Sequence, residues 1–267
     1  MVVLGHLESS LLMRNLRIIP RLDIKSGTLI KGVQMEGWRK VGDPILAAKR
    51  YSEYGADELL FMDVVASLYE RNTLHEIVEQ VCSNVFIPVT VGGGIRKIKD
   101  VETLLSRGAD KVSVNTGALL KPELINEISD RYGSQATVLT VECLKCGEKS
   151  WEALTDNGRN RSGREVIEWV KEAENRGAGE IVLTSIDQDG RGYGFDIDLV
   201  DIVSQAVNIP IIASGGFGKP SHIVELIKST DVSGAAIAQA LHWEKVSFSE
   251  IRDSLRDNNV FLRDIEE

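Results

Sequence analysis

The chain has 267 residues, 43% of them hydrophobic and 27% charged, with a net charge of −9. No apolar run approaches the roughly 20 residues that a membrane helix needs, so no membrane association is expected. The acidic balance argues against a nucleic-acid surface. The three cysteines, Cys82, Cys143 and Cys146, make no disulfide framework and fit a reducing, cytoplasmic compartment.

Residues 1–12 lack the basic start and long apolar core of a signal peptide. They read as an N-terminal extension, with 13–267 as a single domain and Met13 as an alternative start. Residues 17–23 are a strand candidate ending in a carboxylate, Asp23. A polar, glycine-punctuated loop is expected over 24–42. Asp43-Pro44 then caps a helix reaching Tyr54, with Pro at its first position and Gly55 as its stop. Strand two follows at 58–63, and a second helix at 72–83. Strand three, 87–91, runs into Gly92-Gly93-Gly94, and its helix ends near Arg107 before Gly108. Strand four, 111–115, precedes a helix opened by Lys121-Pro122. Strand five, 137–142, ends at Glu142, with a longer loop behind it to about Arg161. A helix over 162–176 stops at Gly177. Strand six (180–185), a helix (198–206), strand seven (209–214), a helix (220–229), strand eight (234–238) and a helix (248–258) complete the pattern.

The second half echoes the first. Ile87-Pro88-Val89-Thr90-Val91-Gly92-Gly93-Gly94-Ile95 is answered by Ile209-Pro210-Ile211-Ile212-Ala213-Ser214-Gly215-Gly216-Phe217, 122 residues later (209 − 87). Gly55-Ala56-Asp57-Glu58 and Gly177-Ala178-Gly179-Glu180 keep the same offset. Eight βα units with nearly continuous apolar strands mean a parallel sheet buried on both faces. The expected fold is α/β: a (β/α)8 TIM barrel built from two duplicated half-barrels. A Rossmann-like sheet is the competing architecture, but no G-x-G-x-x-G follows the first strand.

Chemistry in such barrels occupies the C-terminal strand ends. Asp23 and Glu142 stand at matching positions in the two halves, on strands that lie opposite each other in a closed barrel. Facing carboxylates suit general acid/base work; a helix cap or structural acceptor is the plainer reading of either. Strands three and seven end in glycines: Gly94 on one side, and Ser214, Gly215 and Gly216 on the other. Strand four ends at Asn115 and Thr116, strand eight at Ala238 and Gln239. Bare glycine N–H groups with a helix N-terminus suit a phosphate, so two cradles at one mouth predict a ligand with a phosphate at each end. Tight βα turns are the plainer reading of the glycines, and the recurrence of the same device in both halves weighs against it. Asp189-Gly190, after strand six, either adds a polar group over the mouth or fixes its own loop as an Asx-turn. Lys31 either reaches a phosphate or is a solvated loop lysine.

On the opposite face, Arg17, Glu58, Lys111 and Glu180 each begin a strand. They read as a salt-bridge floor or as a polar gate for something small moving along the barrel axis. The lone Cys143-x-x-Cys146 lacks the further ligands of a zinc site, and the four histidines, His6, His75, His222 and His242, fall away from the strand ends. No metal and no cofactor are expected.

Taken together, Leu22-Asp23-Ile24-Lys25-Ser26-Gly27, Lys31-Gly32, Val91-Gly92-Gly93-Gly94-Ile95, Ala109 to Thr116, Gly133-Ser134-Gln135, Thr184-Ser185-Ile186-Asp187 and Ala213-Ser214-Gly215-Gly216 resemble the cyclase subunit of imidazole glycerol phosphate synthase. The resemblance runs from about Arg14 to the C-terminus. The sister isomerase of the same pathway shares the duplicated barrel, but Gly133-Ser134-Gln135 and Thr184 to Asp187 look more like the cyclase. The resemblance implies a bisphosphate substrate, PRFAR, with one phosphate held in each half. It implies a partner, a HisH-type glutaminase subunit on the N-terminal face, forming a heterodimer and sending ammonia through the floor. Imidazole glycerol phosphate and AICAR would be the products. By position, Asp23 would be the principal acid/base, Glu142 the second, Lys31 would lie on the mobile substrate loop, and Arg17, Glu58, Lys111 and Glu180 would form the ammonia gate. Four positions depart from the family: Glu142 replaces Asp, Arg21 replaces Cys, Gln239 replaces Ser and Arg191 replaces Thr. These departures leave open an alternative, an ammonia-channelling partner in glycosyl amidation of a bacterial surface sugar. A barrel that binds bisphosphates without turnover is a third reading.

Overall fold

The computed structural model describes residues 15–66 and 74–263. The extension assigned to residues 1–12 lies outside these, as does the expected start of the second helix at residue 72. In chain order, β1 (Arg17–Lys25), β2 (Thr28–Val33) and β3 (Glu36–Gly42) precede α1 (Pro44–Glu53). Then come β4 (Leu59–Asp63), α2 (Leu74–Cys82), β5 (Val89–Gly92), α3 (Ile98–Ser106) and β6 (Lys111–Val114). After β6 stand α4 (Thr116–Leu120) and α5 (Glu123–Tyr132). The second half runs through β7 (Thr137–Gly147), β8 (Ser150–Thr155), β9 (Asn160–Glu165), α6 (Val166–Asn175), β10 (Glu180–Ser185) and α7 (Ile197–Ala206). It ends with β11 (Ile211–Ser214), α8 (Pro220–Ser229), β12 (Gly234–Ile237), α9 (Gln239–His242) and α10 (Phe248–Asp257).

Eight strands pair in parallel in the order β1, β4, β5, β6, β7, β10, β11, β12, and β12 pairs back onto β1. The sheet is therefore closed, and the (β/α)8 barrel stands. The main core lies between this cylinder and its helices, where fully buried Trp169, Tyr51 and Leu124 pack against outward strand residues such as Ile18, Leu59 and Leu139. A smaller cluster fills the cylinder itself: Ile19, Leu60, Met62, Val138, Val182, Ile212 and Ala236. Alternation of side chains along each strand produces the two sets. Asp43 caps α1 as expected, its carboxylate accepting from the Ile45 and Leu46 amides, a contact typically worth about 1 kcal/mol.

Two expectations are corrected. The loop assigned to 24–42 is a hairpin: β1 runs two residues past Asp23, and β2 and β3 fold back antiparallel from it. Both turns have two residues with positive φ, Ser26 (49°) with Gly27 (77°) and Gln34 (51°) with Met35 (61°), the geometry that suits a tight hairpin. The loop assigned to 143–161 is a second hairpin, with β7 continuing to Gly147 and β8 and β9 folding back. Residues 162–165 belong to β9, so the helix expected from 162 starts at Val166. In addition, α4 stands before the helix opened at Lys121-Pro122.

Candidate active site

Inward-facing residues form layers along the barrel axis. The floor is a ring in which Arg17 donates to Glu58 at 2.9 Å and to Glu180, while Lys111 donates to Glu58 at 3.0 Å and Glu180 at 2.8 Å. Each cation bridges both anions. Thr90 Oγ1 adds a donor to Glu58 at 2.5 Å. Burial pushes the Glu180 carboxyl up, but Arg17 and Lys111 outweigh it and hold it below its ordinary range. The sequence-derived set of Arg17, Glu58, Lys111 and Glu180 thus meets at one place. Above it lies the apolar layer of Ile19, Val138, Val182 and Ile212, and above that a polar layer of Arg21, Ser113, Thr140, Thr184 and Ser214.

Asp23 and Glu142 stand at the next level, four strands apart around the ring of eight. Both are buried, and neither is the last residue of its strand. Asp23 Oδ1 accepts from Arg21 Nε at 2.9 Å, and Oδ2 is 3.7 Å from Lys31 Nζ. Burial raises the Asp23 carboxyl, but Arg21 and then Lys31 override it, and the net displacement is downward. Glu142 Oε2 accepts from Asn115 Nδ2 at 2.9 Å and from the Gly158 amide at 2.8 Å. Among the described residues its hydrogen-bond donors are neutral, and burial pushes it up to about 7, against partial opposition from Arg21. One acid is thus held ionised and the other is set near neutrality, the arrangement that pairs a base with an acid.

Two cavities flank these carboxyls. One is lined by Gly93, Gly94, Asn115, Thr116 and Glu142, together with Asp63. The other is lined by Lys31, Asp189, Gly190, Ser214, Gly215, Gly216, Ala238 and Gln239, together with Arg21. All the binding residues expected from sequence therefore fall into two groups, at the same end of the barrel. The glycines are steric necessities. Gly94 has φ 70°, and a Cβ there would meet Ala66 Cβ at 2.6 Å; at Gly216, φ 104°, it would run into the Gly194 carbonyl. Asn115 and Ala238 are the N-caps of the matching short helices α4 and α9. Asn115 spends its amide on Glu142 and the Leu154 carbonyl, and its buried Oδ1 has no hydrogen-bond partner among the described residues.

Lys31 is not a solvated loop lysine. It is buried on β2 and pairs with both Asp189 oxygens, at 2.8 and 2.9 Å. Asp189 also accepts from the Met35 amide at 3.2 Å, so its carboxylate ties the first hairpin down rather than closing an Asx-turn of its own loop. The second hairpin joins there: Met35, Leu154 and Ile186 form a buried cluster, and Arg159 lies 5.0 Å over the Trp38 ring.

Three participants escaped sequence reasoning. Asp63 ends β4 in the first cavity and accepts from the Val65 and Ala66 amides; as the last residue of a strand it carried a usable signal. His242 accepts from or donates to Tyr51 Oη at 2.7 Å and sits 3.1 Å from the Arg21 carbonyl. Burial drives it down to about 4, so it is neutral. Asn157, in the β8–β9 turn, reaches the first cavity only because that segment is a hairpin. Cys143 is buried in the outer core and Cys146 is exposed. No helix among the described residues is long and apolar enough to cross a membrane.

Comparison with known proteins bears on this geometry. A family described as histidine biosynthesis protein matches residues 17–247. The imidazole glycerol phosphate synthase subunit HisF of Streptococcus gordonii is 46% identical over 247 residues, 92% of this chain and 98% of that relative. HisF of Legionella pneumophila is 56% identical over 207 residues, 78% of this chain and 98% of that protein. HisF of a Hydrogenobaculum species is 43% identical over 247 residues, again 92% and 98%. With a duplicated barrel, opposed carboxyls between two glycine-lined cavities, and this degree of identity along its length, the chain belongs to the histidine-biosynthesis family, among the HisF subunits of imidazole glycerol phosphate synthase.

Proposed function

We propose that the chain is the cyclase subunit of imidazole glycerol phosphate synthase, converting PRFAR and ammonia to imidazole glycerol phosphate and AICAR in histidine biosynthesis. The observation that carries this is the placement of Asp23 and Glu142 across one mouth, between two cavities 122 residues apart in sequence (216 − 94). The substrate's two phosphates occupy those cavities: one at Gly94, Asn115 and Thr116, the other at Gly190, Ser214, Gly215, Gly216, Ala238 and Gln239. Ammonia attacks the ribulosyl carbonyl between them. Asp23, an anion, takes a proton; Glu142, close to neutrality, supplies one; cyclisation and elimination follow. Asn115 Oδ1 is positioned as an acceptor for a substrate N–H or O–H. Lys31 and Asp189 hold the first hairpin against the second cavity.

The partner in this reading is a HisH-type glutaminase docked on the N-terminal face, delivering ammonia past Arg17, Glu58, Lys111 and Glu180. Nothing in the fold or the relatives supports the reading as a partner in sugar amidation. The test is turnover of PRFAR by the purified chain with excess ammonium salt at alkaline pH, followed by AICAR release. Activity that disappears in Asp23→Asn, with bisphosphate binding retained, is the expected result; no turnover by the unmodified chain would overturn the proposal.

A further inference from the structure

Arg21 has no part in the chemistry assigned so far, yet it is a buried charge held by three side chains. It faces inward on β1, two residues before Asp23, and only 3% of it is exposed. Its Nε donates to Asp23 Oδ1 at 2.9 Å. Its Nη1 donates to Thr184 Oγ1 on β10 at 2.9 Å and reaches Ser214 Oγ on β11 at 3.4 Å. The planar guanidinium is thus anchored at both ends, with the carboxylate at one end and two hydroxyls of the far wall at the other. The other half of the duplication has no such cation. The residue matching Arg21 at the offset of Asp23 and Glu142 is Thr140 (21 + 119), and it bonds the Ser113 hydroxyl. One acid of the pair has a fixed cation against it, and the hydrogen bonds that the described residues make to the other come from neutral donors.

We infer that Arg21 is a positioning residue that divides the acid–base labour: it orients Asp23 and keeps it anionic, so that Glu142 is the group that carries the proton. This rests on the reading of Asp23 and Glu142 as the acid/base pair. Of the other charged groups facing the pair, Lys31 adds to the hold on Asp23 without bonding it as closely as Arg21 does, and Asp63 and Arg96 line the cavity beside Glu142. Lys31 is 3.7 Å from Asp23 and is committed to Asp189. His242 is neutral above pH of about 4, and Asp156, near Glu142, adds only negative charge.

The experiment is the pH profile of kcat/KM in the ammonium-dependent assay, for the full chain and for Arg21→Met, Arg21→Lys and Thr184→Val. Without the cation, both carboxyls titrate higher. The acid limb in Arg21→Met is expected to move up by about one pH unit or more, with kcat at neutral pH lower by roughly 100-fold. Arg21→Lys restores the position of the limb, with kcat only partly recovered, because an ammonium lacks the fork. A profile for Arg21→Met that is lower but not displaced would overturn the inference, since a purely structural loss scales the curve without moving it. Should Arg21→Met fail to fold, Thr184→Val decides: it keeps the charge and the strand and removes the shorter of the two hydroxyl contacts at one end of the fork. A fall of about tenfold in kcat with KM unchanged is expected; wild-type kcat would overturn the inference. Asp23→Asn separates the two levels. An active Asp23→Asn defeats the acid/base reading itself, whereas an inactive one beside an undisplaced Arg21→Met profile defeats only the role of Arg21.

Discussion

Lys31 and Asp189, 158 residues apart, form a two-pronged ion pair at 2.8 and 2.9 Å with both side chains buried. Because the pair links β2 to the segment after β10, it fastens the first hairpin over the mouth. Removing one partner leaves a buried, uncompensated charge, a change that typically costs about 3–5 kcal/mol. Lys31→Met is therefore expected to lower unfolding stability by about 3 kcal/mol, and the double variant Lys31→Met, Asp189→Asn to recover part of it. Urea titration of the single and double variants measures this.

Glu142 gives stability a particular pH dependence. Its carboxyl is held up to about 7, against an ordinary 4.5. Between those values the folded chain keeps a proton that the unfolded chain has lost, so stability falls as pH rises from 4.5 to 7 and is level above 7. The loss from this group is at most about 3 kcal/mol. Asp23, held low, acts in the opposite sense but only below about 3.8, outside this window. Glu142→Gln should flatten the slope between pH 5 and 7, as read from denaturation midpoints at several pH values.

The extra methylene of Glu142 is what lets Oε2 meet both Asn115 and the Gly158 amide. Glu142→Asp withdraws the carboxyl by more than 1 Å and is expected to lower kcat by about 100-fold. Wild-type turnover of PRFAR by this variant would show that the reach is immaterial.

At the floor, Lys111 serves Glu58 and Glu180 together. Lys111→Ala is expected to depress the glutamine-dependent rate, measured with the glutaminase partner, far more than the ammonium-dependent rate. Equal losses in the two assays would remove the gate assignment.

Gly216→Ala should damage the second cavity. Its Cβ collides with the Gly194 carbonyl and its φ is 104°, a strain costing about 2 kcal/mol or more. KM for the bisphosphate should rise with it. Gly163→Ala is the control: its φ is 73° with open space around the added carbon, so backbone strain alone lowers its stability by about 1 kcal/mol and it keeps its KM.

The barrel strands were legible because each buries both faces and so reads as an apolar run bounded by glycines or prolines. Ile211–Ser214 and Glu180–Ser185 are of this kind. The hairpins were not legible. Glu36–Gly42 and Asn160–Glu165 carry mostly polar, partly exposed side chains, so no hydrophobic alternation marks them, and their turns are made by residues such as Gln34 and Asp156 with positive φ. Asp23 and Glu142 could be expected at the mouth because strand ends bear the chemistry of this architecture, although both strands run on past them. The burial of Lys31 could not, since it depends on Asp189, far away along the chain. Arg21 was visible only as an odd residue at its position; its contacts with Thr184 and Ser214 exist only once the cylinder closes.

Both hairpins leave the barrel at equivalent stations, one after β1 and one after β7. Each half so carries one flap, one glycine-lined cavity and one buried acid. What separates the halves is unlike residues at like places: cation against hydroxyl at 21 and 140, short acid against long at 23 and 142. The molecule is a symmetric vessel whose handed contents give the reaction its sense.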